Sequence, residues 1–450
     1  MTSVRDFGAR GDGKTDDAQA IQHAIQKGDG VVHFPRGNYL ISRTIRVPLQ
    51  MHGRISIDGA LGTAKLIMAG AGPALNLIGS HRRTAEPSHF AEEQWQRERM
   101  PIVQGLEIVG RHAQADGIRA EGVMQPTFHQ LLIRKCRYGI HLNVRDRNVL
   151  ISNCHIYDNS AIGVFLDAVN LHQINIHGNH ISYCKQAGIK ILASEVRNIQ
   201  ICANDIEYNH DLKGQGSADV FFDCRAGTVR EGTLVGNTVQ ARESPGGANV
   251  RFLGAKDHPN AVGLFTISAN LIGSQARALD LHNCRAVVIT GNSIYSGYRH
   301  SIWAENAEHL VIGANTIDHN PEYRGNSTDQ LVLRNCRNVS MTGLILQHTR
   351  PANDPVTSSM EIRGCHNVNI AGIQIINARG RGIALESCQT VRIADSTIRG
   401  TPDDKAYRAA VTVDGKCAQV MVVNNFLGRG SDGAFTLPAV RGTASGNVMV

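Results

Sequence analysis

The strongest constraint on this chain is a cysteine that returns in the same surroundings. FDCRAGTV, HNCRAVVI, RNCRNVSM, RGCHNVNI, ESCQTVRI and GKCAQVMV align on Cys224, Cys284, Cys336, Cys365, Cys388 and Cys417. ENAEHLVIGANTI fits the same frame with Ala307 in the cysteine slot, so the steps from Cys284 onward are 23, 29, 29, 23 and 29 residues. A second marker, an asparagine with an apolar residue two positions on, recurs at Asn179, Asn204, Asn237, Asn270, Asn292 and Asn315. A third precedes the cysteine slot, as short segments of alternating polarity such as GIHLN, GVFLD, GIKIL, ALDLH and SMEIR. Self-similarity of this kind marks a solenoid.

Each unit reads as strand, small-residue turn, V-x-I strand, asparagine turn, short strand and variable loop. No strand is long enough to fold alone, and no unit carries a helical apolar period. Stacked coils pair each strand with its equivalent about 4.8 Å away and bury a continuous core. The expected fold is all-β, a single-stranded parallel β-helix of roughly a dozen coils. Stacked asparagine amides would satisfy one another and the turn backbone. Cysteines on adjacent coils could bridge, but buried free thiols fit better a slot that wants small apolar volume.

Composition agrees. Glycine at 46 of 450 residues with 5% aromatics suits short strands and tight turns. The net charge of +7 is scattered, with no basic block, which argues against nucleic acid as a partner and mildly favours an acidic one. No apolar run reaches membrane-spanning length, and no basic-plus-apolar leader stands at the N-terminus. As written the chain reads as cytoplasmic; a trimmed leader would make it periplasmic or extracellular.

The N-terminus carries a family signature. VRDFGARGDGKTDDAQAIQHAIQKGDGVVHFPRGNYLIS resembles the opening of the pectate-lyase-like superfamily of right-handed β-helix proteins, through its V-x-D-F-G-A-x-G-D-G-x-T-D-D stretch, A-I-Q-x-A-I helix and V-x-F-P-x-G-x-Y strand. The expected organisation is an N-terminal cap over 1–42, with Ala18, Ile21, Ala24 and Ile25 on one face of a short helix and Asp16 and Asp17 in its first turn, followed by the β-helix over 43–450. The resemblance implies carbohydrate chemistry: lyases, glycoside hydrolases, uronate epimerases, fructotransferases and phage tailspikes share the scaffold. Fold does not choose among them. The catalytic motifs of polygalacturonases, mannuronan epimerases and classical pectate lyases are absent.

GARGDGKT, residues 8–15, also matches the phosphate-loop pattern G-x-x-x-x-G-K-[ST]. Asp16 and Asp17 place negative charge where phosphates would dock, and no alternating strand–helix pattern follows. The stretch reads as the turn into the capping helix.

In the superfamily the resemblance points to, the substrate groove usually lies on the sheet before the small-residue turn. Alternation turns Ile140, Val164, Leu166, Ile189, Val220 and Leu279 inward. One outward row is then Arg119, His141, Phe165, Lys190, Phe221, Arg251, Asp280, Trp303 and Glu361. The other is Glu121, Asn143, Asp167, Leu192, Asp223, Leu253, His282, Glu305, Arg334 and Arg363, with Arg334 offset by the extra coil. So many titratable and aromatic groups on one face point to a groove for a poly- or oligosaccharide.

Two chemistries fit. In β-elimination at a uronic acid, Lys190 or Arg251 would be the base, with His141 or His282 assisting, and Asp167, Asp223 and Asp280 could hold Ca²⁺. In inverting hydrolysis, Asp167 and Asp223, two coils and roughly 9.6 Å apart, would be the carboxylate pair. Interleaved Lys, Arg and His favour elimination. Arg119, His141, Asn143, Phe165, Phe221, Trp303 and Glu305 would bind substrate. A glycan-binding, tailspike-like protein is the non-catalytic alternative. Elsewhere, His155, His180 and Asp205 share an outward slot on three successive coils, a potential two-His-one-carboxylate metal site. The insertion 80–101 contains a helix-competent segment with Phe90 and Trp95, readable as a lid, a homo-oligomer contact or a solvated loop.

Overall fold

The computed structural model describes the chain except for residues 83–90, 215, 259, 349–356, 402–404 and 439–441. It divides into two compact units: Met1–Asp211 with Ser217–Gly232, and Leu212–Gly216 with Thr233–Val450. Within each, short strands pair in parallel with their equivalents one coil on. The solenoid has about 17 turns, more than the expected dozen. The uncounted ones lie early, where no cysteine precedes Cys136 to mark them.

In the first unit the groove-face sheet contains the strands Ala115–Met124, Tyr138–Ser152, Ile162–His177, Ala187–Leu192 and Ala218–Cys224. In the second it contains Ala248–Gly254, Leu271–His282, Ser293–Glu305, Gln330–Arg334 and Ser358–Arg363. Ile140, Val164, Leu166, Ile189, Val220 and Leu279 are all fully buried, as alternation requires.

The asparagine slot is a hydrogen-bonded ladder. Asn292 Oδ1 accepts from both the backbone N–H and the Nδ2 of Asn270, at 3.0 and 2.9 Å. Asn292 Nδ2 in turn donates to Asn315 Oδ1 at 2.9 Å and to the Ile267 carbonyl at 3.0 Å. Each amide therefore closes its own turn and the preceding one. The cysteine slot holds free thiols, and Cys336 and Cys388 donate their backbone N–H to the sulfur of Cys365 and Cys417 at 3.3 and 3.2 Å.

A glycine column opens these strands of the first unit. A β-carbon on Gly117, Gly139 or Gly163 would lie 2.3, 2.5 or 2.6 Å from the carbonyl oxygen of the glycine one coil on. Each would also lie 2.7 Å from an isoleucine methyl, so only glycine fits.

Helix α1, Ala18–Lys27, buries Ala18, Ile21, Ala24 and Ile25. It packs on the 3₁₀ turn Val4–Phe7 and the strand Ile45–Pro48. Asp16 and Asp17 precede the helix rather than filling its first turn. Asp16 Oδ1 accepts from the Ala18 N–H at 3.1 Å. The Asp17 carboxylate folds back onto the N–H groups of Arg10 and Gly11, at 2.7 and 3.0 Å. An internal carboxylate thus takes the loop donors that a phosphate would need.

In the insertion, the described part forms helix α3, Glu92–Glu98, beside the short helix α2, Leu49–His52. Glu98 is buried and accepts from the Ser80 N–H and Oγ at 2.7 and 2.6 Å. Phe90 lies outside the described residues.

Candidate functional site

Strand register in the first unit brings the expected rows together. Arg119, His141, Phe165, Lys190 and Phe221 are neighbours on successive coils, as are Glu121, Asn143, Asp167, Leu192 and Asp223. What the side chains do departs from expectation at several positions.

Phe165 points outward yet is only 4% exposed, packed with Ala161, Ile162, Tyr138 and Leu192. It is a covered apolar shelf, not an open sugar platform. His141 stacks on it at 5.1 Å and places Nε2 3.1 Å from Asp167 Oδ2. Burial lowers the His141 pKa despite the Asp167 contact, favouring the neutral ring. Arg119 donates to Asn143 at 3.1 Å and to Glu121 at 3.2 Å.

Asp223 is 6% exposed. Burial alone would raise its pKa, but Arg225 outweighs it with Nε at 2.8 Å and Nη2 at 2.6 Å, so the carboxyl stays below its ordinary value. Lys190 makes no hydrogen bond or ion pair among the described residues. Its Nζ lies 5.1 Å from the Phe221 ring centre. Burial lowers its pKa, with Asp223 and Asp167 opposing only in part.

In the second unit the centre is Asp280, 2% exposed. Its oxygens accept from Arg251 Nε at 2.7 Å and Arg277 Nη1 at 2.6 Å, with His282 Nε2 at 2.9 Å. Burial opposes its charge, but His282, Arg251 and Arg277 prevail and hold the pKa well down. Arg251 also donates to the carbonyls of Gly216 and Gly246 at 2.8 and 2.6 Å. A guanidinium so fully committed cannot act as the base, which removes that expected role.

His282 Nδ1 faces Glu305 at 3.4 Å. Arg277 and Arg334 lie over the Trp303 ring, 4.3 and 4.5 Å from its centre, and the His300 ring packs edge-on at 4.7 Å. Guanidinium groups therefore take the place expected for a sugar on Trp303. Arg334 is not offset: it registers between Glu305 and Arg363, while Val332 fills the row between Trp303 and Glu361.

The expected cation sites do not form. Asp167 faces His141, Asp223 is clamped by Arg225, and Asp280 is saturated by N–H donors. His155, His180 and Asp205 do share a row. However, the two rings stack 5.0 Å apart at 14°, and His180 Nδ1 turns to Asp205 at 3.3 Å, so the three do not converge. Among the described residues no group of three or more His, Cys, Asp or Glu could hold a metal ion.

Sequence reasoning missed Arg225 and Arg277. Arg225 had a signal, since in extended chain a residue two beyond Asp223 shares its face. Arg277 had none, because an irregularity between Gln275 and Arg277 shifts the strand register before Asp280.

A solenoid of parallel strands with charged side chains on one outward face is the architecture of many carbohydrate-active proteins. Residues 95–240 and 254–427 match the family model "Right handed beta helix region", and the chain belongs to that family. Residues 1–78 match "Rhamnogalacturonase A/epimerase, pectate lyase-like". Similar proteins include a "Probable glucan endo-1,3-beta-glucosidase" of Arthroderma benhamiae, 54% identical over 48 residues, 10% of this chain and 6% of that protein. Alginate lyase 7 of Azotobacter vinelandii is 54% identical over 44 residues, 9% of this chain and 5% of that protein. The chain thus matches only a small part of these relatives' length. Among solved structures, the N-terminal fragment of bacteriophage Phi29 gene product 12 superposes with a TM-score of 0.57 at 12% identity, covering 99% of this chain and 72% of that one. The Dettilon tailspike protein gives 0.54 at 15% identity over 83% and 68% of the two chains. Both are similar in fold.

Proposed function

We propose that this chain cleaves a uronic-acid-containing glycan by β-elimination, with Lys190 as the base. The observation that carries this reading is the Lys190 amine: desolvated, unpaired among the described residues, and lowered in pKa on the groove face. A base works best when its pKa lies near the working pH. Arg225, whose side chain is 67% exposed, spends Nε and Nη2 on Asp223 and keeps Nη1 for a substrate carboxylate.

With the carboxylate on Arg225, the neutral amine takes the adjacent C–H proton. The electron pair forms the carbon–carbon double bond, and the bond to the leaving glycosidic oxygen breaks, that oxygen taking a proton from water. Arg225 stabilises the charge that develops on the carboxylate. In the Asp167/Asp223 hydrolase alternative Asp223 is unsuited to be the acid, because a carboxyl clamped by Arg225 does not hold a proton to donate, which leaves that role to Asp167.

The test is ultraviolet absorbance of the unsaturated product over a panel of uronate polymers. Growth that survives Asp167→Asn but not Lys190→Ala supports elimination. New reducing ends without absorbance would point to hydrolysis, and neither signal on any glycan to a binding protein.

A further inference from the structure

The second unit carries a cleft of about 790 Å³ over the turn that follows its charged row, with Glu305 at the border between the two. Its floor is a turn repeated on successive coils. Asn283, Asn306 and Asn335 all adopt the left-handed conformation, with φ of 53°, 54° and 50°. Asn306 Nδ2 donates to Asn283 Oδ1 at 3.1 Å, and Asn283 Nδ2 to the Gly254 carbonyl at 2.8 Å. The Asn335 amide, next in the series, has no side-chain hydrogen bond among the described residues. Unlike the buried asparagine ladder, this one faces solvent.

The charges around it are also distinctive. On the sheet face of this unit, charged side chains are spent on neighbours: His282 on Asp280 and Glu305, Arg334 on Glu361, Arg363 on Glu386. Lys256, Arg337 and His366, which line the cleft, make no side-chain hydrogen bond or ion pair among the described residues. Glu308 beside them makes no ion pair among the described residues, and Glu305 is turned toward His282. Unspent cations over a floor of amide donors and acceptors suit a polar, anionic, elongated ligand.

We propose that this cleft is a second glycan site, which binds an acidic oligosaccharide along the amide turn and anchors its carboxylates on Lys256 and Arg337. The inference rests on the uronate reading for the sugar class, but not on elimination or on Lys190.

The experiment is calorimetric titration of the Lys190→Ala chain, which leaves the ligand uncleaved. Hexamers of galacturonate, mannuronate and glucuronate serve as probes, with a glucose hexamer as control. If both sites exist, one of the acidic hexamers binds with two equivalents per chain. The Lys256→Ala/Arg337→Ala double substitution, at two exposed positions, removes one equivalent or weakens it about tenfold or more. If the groove reading fails and the cleft reading holds, one equivalent binds and the double substitution abolishes it. Acidic binding untouched by the double substitution, equal binding of the neutral hexamer, or no binding of any acidic hexamer overturns the proposal.

Discussion

Asp146 has no solvent contact, and its Oδ1 accepts from the Val123 N–H at 3.0 Å while Oδ2 has no hydrogen-bond partner among the described residues. Burial raises its pKa to about 7. An unfolded aspartate ionises near pH 4, about 3.9. Between the two values the folded chain keeps a proton that the unfolded chain releases, so this residue's contribution to stability is full at low pH and is lost as pH rises toward 7. Asp146→Asn should raise the thermal midpoint at pH 8 and leave it nearly unchanged at pH 4; an equal shift at both would refute the linkage. At Lys190 the depressed pKa predicts a rate that climbs with pH and levels off below the ordinary lysine range. Lys190→Ala should lower turnover by about 10²–10⁴-fold. Lys190→Arg should be nearly as inactive, since a guanidinium stays protonated at the working pH and has no neutral form to accept the proton. Retained turnover in either would shift the base elsewhere. The outward position of Lys190 was legible from alternation; its isolation was not, because it depends on Arg225 having already claimed Asp223.

At the scale of the element, the asparagine slot was readable because the coil imposes one side-chain environment on every turn. The register of the rows followed from the same repetition. What escaped was local irregularity: the Gln275/Arg277 shift reassigns an arginine to Asp280, and no periodic template contains such a shift. The ladder also makes a graded prediction. Replacing Asn292 with alanine leaves the Asn270 N–H and the Ile267 carbonyl without their partners and should cost about 3 kcal/mol. Asn447 is half-buried at the end of a similar series, where it accepts from Asn425 and donates to the Val422 carbonyl at 2.9 Å. Water can replace part of what it provides, so Asn447→Ala should cost about 1 kcal/mol or less. Urea midpoints of the two variants measure the difference, and equal losses would mean that position along the ladder is irrelevant.

For the whole molecule, the ten cysteines give a direct readout. Nine are buried and Cys202 is partly exposed, all as free thiols. Burial pushes the Cys136 and Cys184 thiols up to about 12, well away from the reactive thiolate. A thiol reagent should therefore modify at most one cysteine in the folded chain and all ten in denaturant, and reductant should not move the melting temperature. Fast labelling of several thiols without denaturant would contradict this packing. Fold class was readable from sequence because repetition is a global property, whereas the number of coils was underestimated where the repeats carry no marker residue. What the charged rows can bind depends on which side chains are left unpaired rather than on period, so alternation alone suggested one broad groove, whereas the proposed reading rests on Lys190 and Arg225.

The glycine column bears on how such a chain can change over generations. Each of Gly117, Gly139 and Gly163 is enforced by a carbonyl belonging to the following coil. A single replacement within the stack meets a neighbour that has not moved, so variation here is blocked one letter at a time. Duplication or loss of an entire coil keeps every glycine facing another. Along this stretch, a lineage can alter its length by whole coils far more readily than it can remodel any one of them.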